Sequence, residues 1–289
     1  MAANLKAKRK KSRFTVVSTI VFIIFCLYTV ILAIPYVWGI LVSLKTRFEY
    51  MEMPAFSLPK ELQFSNYLKA WKELSVEGTS VPMMFVNSIW YAGGMSLTSI
   101  LFSTMTAYVI AKYRFPGRNL IYTTALLIMM IPIMGAMASS LKFAQAIGSY
   151  DSRTYIILNA SSVGSIFIIM YATFKGVSWG YAEAAFIDGA SHCTVFFRIM
   201  LPQVISPVCA LFMTQFITLW SDDATPLVYF PNLPTLSTGL YMYQSVVKKT
   251  EEYPIYFAGL IICMIPTLTL FLIFQKNLMN VQMGGGLKG

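Results

Sequence analysis

Long apolar runs separated by short polar stretches organise this chain of 289 residues. The runs extend from about Phe14 to Leu44, Val86 to Ala111, Leu120 to Ala144, Tyr155 to Phe174, Val208 to Trp220 (borrowing apolar residues from about Val204) and Ile255 to Phe274. Each comes close to the ~20 residues a helix needs to cross a bilayer. The pattern predicts an all-α, polytopic membrane protein with six transmembrane helices. The first run is longer than a signal-peptide core of about 7 to 15 residues and lacks a small-residue cleavage site, so it is expected to stay as an uncleaved span. Pro35 is expected to kink it and Pro132 to interrupt the third run. Gly93, Gly94, Ser96, Ser99 and Ser103 put small side chains along the second run, a pattern that favours close helix packing in lipid.

The polar stretches supply the sidedness. Residues 1–13 hold Lys6, Lys8, Arg9, Lys10, Lys11 and Arg13, and the loop Lys112 to Arg118 is purely basic. Placing these inside, with both termini cytoplasmic, makes residues 45–85, the turn Ile147 to Thr154 and the loop 222–254 external, and residues 175–207 and the tail 275–289 cytoplasmic. The inside then receives thirteen bases and two acids, and the outside nine bases and ten acids. That asymmetry follows the positive-inside rule, and the reversed orientation breaks it.

Composition narrows the class. Hydrophobic residues make up 57% and charged residues 12%, against about 25% charged in soluble domains. Mean hydropathy is +0.64. The net charge of +10 sits in the loops that set topology, and no basic run is interleaved with aromatics as a base-stacking surface requires, so nucleic acid is not an expected partner. Cys26, Cys193, Cys209 and Cys263 show neither CxxC spacing nor a disulfide pattern and read as packing residues; no metal site is expected. His192 is the only histidine, and it reads as a surface or packing residue. The spans read as free of buried ionisable groups, which argues against a proton- or sodium-driven carrier. Neither HExxH nor GxxxxGK[ST] occurs, so the chain is read as non-catalytic and not itself an ATP binder.

One polar island stands apart: Tyr181 to Pro207, YAEAAFIDGASHCTVFFRIMLPQVISP. Helix formers and acids up to Asp188, then Gly189, predict a short helix with a glycine C-cap. Ser191 is placed to cap a second helix, greasy on one side through Phe196, Phe197, Ile199 and Leu201, with Pro202 and Pro207 breaking its course. Ala184, Ala185, Gly189 and Ala190 are small enough to let another protein approach the backbone.

The spacing Glu183-Ala184-Ala185, Asp188-Gly189-Ala190 and Ile199-Met200-Leu201-Pro202 resembles the cytoplasmic loop of ATP-binding-cassette importer permeases. Asn87-Ser88, the stretch Ala107-Tyr108 to Arg118, Trp220 with Pro226-Leu227, and Pro266, Phe271 and Gln275 before the tail resemble the carbohydrate-importing, maltose-transporter-type branch, its smaller permease subunit. Ser178, Ser221, Val281 and Met283 depart from that branch's usual residues. The resemblance implies a permease domain over 14–289 in a bacterial cytoplasmic membrane. It also implies a second permease subunit, a pair of ATPase subunits that hold ATP and Mg, an extracytoplasmic solute-binding protein and a carbohydrate substrate. Glu183, Ala184, Ala185, Asp188, Gly189, Ala190 and Pro202 would then couple the chain to an ATPase. Gly285, Gly286, Leu287, Lys288 and Gly289 would contact the ATPase pair from the tail. A permease of the same superfamily for a non-sugar solute, and a secondary carrier, are the alternatives. The residues that contact substrate are not named by the sequence.

Overall fold

The computed structural model describes residues 16–76, 78–131 and 135–285, with 276–285 and Glu73 as backbone alone. The basic N-terminus 1–13 and Pro132 lie outside the described residues. Among the described residues the regular structure is helical apart from one two-stranded antiparallel ribbon, Ser75–Val76 against Thr79–Ser80.

Among the described residues three helices are long and apolar enough to cross a membrane: α1 (Val16–Ser43), the 32-residue Val81–Lys112, and the stretch Tyr253–Gln275 of a final helix that runs on to Gly285. Val16–Ser43 has an almost wholly exposed apolar surface, which fits lipid as its solvent. Pro35 lies inside it without ending it. Two short helices, α2 (Arg47–Glu52) and α3 (Ser65–Glu73), follow it. A reciprocal capping box starts α2: the Thr46 side chain accepts from the Glu49 N–H and the Glu49 carboxylate from the Thr46 N–H. Those bonds, led by the Thr46 backbone N–H, hold the Glu49 carboxyl below its usual range.

Helix α4 (Val81–Lys112) carries one π-wound turn at Ile89–Gly93. Its small-residue face is buried, with Ser96, Ser99, Ser103 and Ala107 all inside. The third apolar run divides into α5 (Arg118–Met130) and α6 (Met137–Ala146). The fourth run, expected as one span from Tyr155 to Phe174, is also divided, into α7 (Tyr155–Leu158) and α8 (Ser165–Gly176). The intervening Asn-Ala-Ser-Ser-Val-Gly offers local side-chain partners that compete with a helix. Hydroxyls on α4 take up the freed carbonyls: Thr98 Oγ1 donates to Ile156 O at 2.6 Å and Ser103 Oγ to Ser161 O at 3.0 Å. Broken backbone at membrane depth is stable where neighbouring helices satisfy it in this way.

Helices α9 (Gly180–Ile187) and α10 (His192–Gln203) follow, and α10 meets α11 (Ile205–Trp220) at 81°. The stretch 222–254, expected as a loop, holds two further helices, α12 (Ala224–Tyr229) and α13 (Leu236–Thr250), before α14 (Tyr253–Gly285). Pro226 sits in the first turn of α12 and Thr235 caps α13, so this turn-rich composition starts helices as well as ending them.

The segments expected on one side meet at one end of the molecule. Arg47 pairs with Glu251 at 2.8 Å. Asp151 accepts from the Asn232 side chain at 2.6 Å. Asn66 donates to the carbonyls of Ser43 and Lys45. The motif residues of the second and fifth spans lie in the same cluster. Asn87 donates to Pro234 O, Ser88 Oγ accepts from Leu236 N at 2.7 Å, Tyr91 donates to Asp222, and Trp220 Nε1 donates to Cys263 O. Lys45, 1% exposed, is buried there without an acid partner among the described residues; its ammonium donates to Ser57 Oγ at 2.9 Å. The loop 112–118 and residues 175–207 meet at the opposite end.

Candidate functional site

At that second end α9 is a separate helix of 8 residues, about two turns. Its C-terminus is a Schellman motif. The Gly189 N–H bonds Phe186 O at 3.0 Å and the Ala190 N–H bonds Ala185 O at 2.9 Å, with Gly189 at φ +79°. Ser191 then caps α10 by accepting from the Thr194 N–H. Both capping expectations hold.

Helical periodicity splits α9 into two faces. Ala182 and Ala185 point into a buried cluster with Ala107, Tyr108, Phe174, Val195 and Phe196. Tyr181, Glu183, Ala184, Ile187 and Asp188 face outward, with Ile187 85% exposed. Of the residues expected to be presented, the fold brings Glu183, Ala184, Asp188 and Gly189 together on this outer surface and leaves Ala190 half-buried beside it. Ala185 does not belong to the surface, because it shares the inner face with Ala182. Pro202 also stands apart, at the far end of α10. Gly285 is the last residue of α14, and Gly286, Leu287, Lys288 and Gly289 lie outside the described residues.

A ring of aromatic contacts fixes α9 to the bundle. Trp179, just before α9, packs edge-on against Tyr113, and Phe186 meets both Trp179 and His192. Tyr113 OH shares a 2.8 Å hydrogen bond with His192 Nδ1, and Tyr108 bridges Tyr113 to Phe196. The Lys112 ammonium donates to Val177 O, so the end of α4 also holds the strand of chain that leads into α9. The packing role expected for His192 is what the structure shows. Tyr113 and Trp179 were not legible as site residues, since the contacts that join the loop after α4 to the island, Tyr113 with Trp179 and with His192, link residues more than sixty positions apart. Their signal was only that aromatics crowd the polar stretches at this end.

The second helix of the island is not an ordinary α-helix. Val195–Met200 is π-wound. Pro202 has no N–H for the Arg198 carbonyl, which removes the α-type bond there. With the turn widened to i→i+5 bonding, Val195, Phe196 and Met200 are buried and Phe197 is turned outward. The greasy face therefore differs from the expected set of Phe196, Phe197, Ile199 and Leu201. The 81° bend falls at Val204, between Pro202 and Pro207. Cys193 is exposed on α10, as Cys26 is on α1, whereas Cys209 and Cys263 are half-buried. Among the described residues no group of His, Cys, Asp and Glu could hold a metal ion.

The sequence model of one family, described as "Binding-protein-dependent transport system inner membrane component", matches residues 99–280. The diacetylchitobiose uptake system permease protein of Streptomyces coelicolor is 28% identical over 256 residues, 87% of this chain and 83% of that one. The galactooligosaccharides transport system permease protein of Bacillus subtilis is 30% identical over 244 residues, 80% of this chain and 82% of that one. Among solved structures, a chain of a bacterial ABC transporter involved in the import of the acidic polysaccharide alginate has a TM-score of 0.73 at 19% identity. That likeness covers 91% of this chain and 98% of the other.

Proposed function

From the premise that the chain belongs to the binding-protein-dependent transport system inner membrane components, we propose that it is the permease subunit through which an ATP-driven importer moves an oligosaccharide across the cytoplasmic membrane. The permeases named above for diacetylchitobiose and galactooligosaccharides support the sugar class. The partners in this reading are a second permease subunit, a pair of ATPase subunits that carry ATP and Mg, and an external solute-binding protein. The chain itself supplies a path and a lever, and no catalytic group.

In this reading six spans cross the membrane, with both termini inside: α1, α4, the divided pair α5 and α6, the divided pair α7 and α8, the bent pair α10 and α11, and α14. The outer face of α9 docks in a cleft of an ATPase subunit, where Glu183 meets a basic group. Closure of the ATPase pair then moves α9, and with it the spans, between inward-open and outward-open states. The observation that carries this is the pairing of an exposed face, Glu183, Ala184, Ile187 and Asp188, with an inner face clamped to α4 and α8 through Tyr113, Trp179 and Lys112. A polar loop with no such clamp transmits no force. The tail also fits: α14 has 33 residues, about 50 Å of helix. The hydrocarbon core is only about 30 Å thick, so its C-terminal end stands clear of the membrane towards an ATPase.

The test is ATPase activity of the chain co-purified with its neighbouring permease and ATPase, with and without binding protein and candidate oligosaccharides. Stimulation that Glu183→Ala removes supports the reading. Uptake into vesicles that contain no ATPase overturns it.

A further inference from the structure

Beside α9, and sharing only Glu183 with its outer face, lies an open recess of about 590 Å³ lined by Ala111, Lys112, Tyr113, Arg114, Arg118, Lys175, Trp179 and Glu183. Four cations face one acid there. Among the described residues none of the four has a carboxylate within ion-pairing distance, and the one ion pair is Arg47 with Glu251 at the opposite end. Their hydrogen bonds leave the charges unmatched: Lys112 donates to Val177 O, Arg118 donates to Tyr113 O at 3.3 Å, and the Lys175 ammonium lies 5.5 Å from the Tyr171 ring centroid. Gathering several like charges in one recess without counter-charge costs free energy that water lowers and a bound anion offsets further.

The depth of the recess identifies the anion. Lys112 is the last residue of α4, Arg118 the first of α5, and Lys175 the last but one of α8. Each cation therefore sits where a span leaves the hydrocarbon. Tyr113 and Trp179 stand between them, the residue types that mark the headgroup layer. Of the outer face of α9 only Glu183 reaches the lining, while Ala184, Ile187 and Asp188 stand outside it. We infer that the recess binds the phosphate of an anionic phospholipid headgroup, and that this lipid braces the junction of α4, α8 and α9. Basic pockets between spans on the cytoplasmic side suit such headgroups. The inference rests on the membrane orientation proposed above.

The experiment uses the assembled complex in nanodiscs of phosphatidylcholine alone or mixed with phosphatidylglycerol. The variant is Arg114→Gln/Arg118→Gln/Lys175→Gln, and the control Lys248→Gln/Lys249→Gln neutralises exposed lysines at the other end. Native mass spectrometry is expected to find phosphatidylglycerol retained by the wild type and the control, and about tenfold less by the triple variant. Binding-protein-stimulated ATPase should fall when phosphatidylglycerol is omitted from the wild type and be indifferent to it in the variant. Millimolar inorganic phosphate should not displace the lipid. Equal retention by the triple variant overturns the inference. So does displacement by inorganic phosphate, which makes the ligand a soluble anion, and so does loss of the ATPase subunits from the variant in either lipid, which makes the recess a protein contact. Failure of the orientation itself is read separately, by labelling of Cys193 from the external side.

Discussion

Gly189 allows the physics of the α9 turn to be separated from the demands of a partner. Its φ of +79° lies in the left-handed region, and a Cβ built there meets nothing within 4 Å. Replacing it by alanine therefore costs conformation alone, about 1–2 kcal/mol for an L-residue in that region. Asparagine, which tolerates the region better, should cost less despite its larger side chain, and valine more because of its branch. The cost falls on the two bonds that close the helix, from the N–H groups of Gly189 and Ala190. An opening free energy lowered by 1–2 kcal/mol raises the open population about 5- to 30-fold.

Hydrogen exchange of the assembled complex reads that population directly. Protection at Asp188, position 189 and Ala190 should fall about 5- to 30-fold in Gly189→Ala and only a few-fold in Gly189→Asn, with stimulated ATPase following the same order. Unchanged protection in the alanine variant would refute the argument from backbone geometry. A ranking by size, with asparagine worse than alanine, would refute it differently, by showing that the close approach of a partner sets the requirement.

Three further outcomes are expected. Gly239 of α13 packs directly on the buried Met84, so Gly239→Ala should cost about 1–3 kcal/mol through overpacking, measured as a lower thermal unfolding midpoint in detergent; an unchanged midpoint counts against that contact. Cys193 should react with a membrane-impermeant maleimide in inside-out vesicles and stay unlabelled in right-side-out ones, in a variant with the other three cysteines replaced by serine; the reverse result inverts the orientation. Glu49 has a depressed folded-state pKa, so its contribution is present at pH above its unfolded value of about 4.5 and is lost as pH falls through the lower folded value. Glu49→Gln should flatten the acid limb of the stability curve measured by the fluorescence of Trp38 and Trp71, and an unchanged limb argues against the capping box as its source.

The apolar runs told where membrane helices start and stop because lipid demands one thing of a span, an uninterrupted apolar surface with its backbone satisfied. That demand is local for α1, α4 and the stretch Tyr253–Gln275 of α14, which follow the pattern closely, whereas the helical continuation of α14 to Gly285 does not show in hydropathy. It is not local for Tyr155 to Phe174. There the backbone is released and bonded by Thr98 and Ser103, residues on another helix more than fifty positions away, and hydropathy carries no trace of that exchange. The cap at Gly189 and the N-cap at Ser191 were legible because each is settled within four residues. The inward turn of Ala185, the outward turn of Phe197 and the clamp of Tyr113 on His192 depend on packing partners and on a π-wound turn. Alanine at positions 184 and 185 reads the same in sequence, and only the bundle distinguishes the two.

The same contacts define how far a displacement of α9 reaches in the proposed mechanism. Through the chain, α9 leads by the tight turn at Gly189 into α10, and α10 ends at the bend over Val204. From there α11 runs as one helix of 16 residues, about 24 Å, to Trp220. Trp220 is bonded to α14 through Cys263 O, and Asp222 beyond it to Tyr91 of α4. Through packing, the inner face of α9 rests on the end of α4, whose other end carries Asn87 and Ser88 into the turn before α13. Both routes thus finish in one hydrogen-bonded cluster at the opposite end of the molecule. A push on α9 that tilts α4 and α11 together moves that cluster as a unit, whereas a push that parts them must break Tyr91 from Asp222. Tyr91→Phe removes that restraint while keeping the ring, so it separates the two cases. If α4 and α11 move together, coupled ATPase and uptake stay near wild type. If they must part, removing a charge-assisted bond worth about 1.5–3 kcal/mol eases the transition and raises basal ATPase activity in the absence of binding protein.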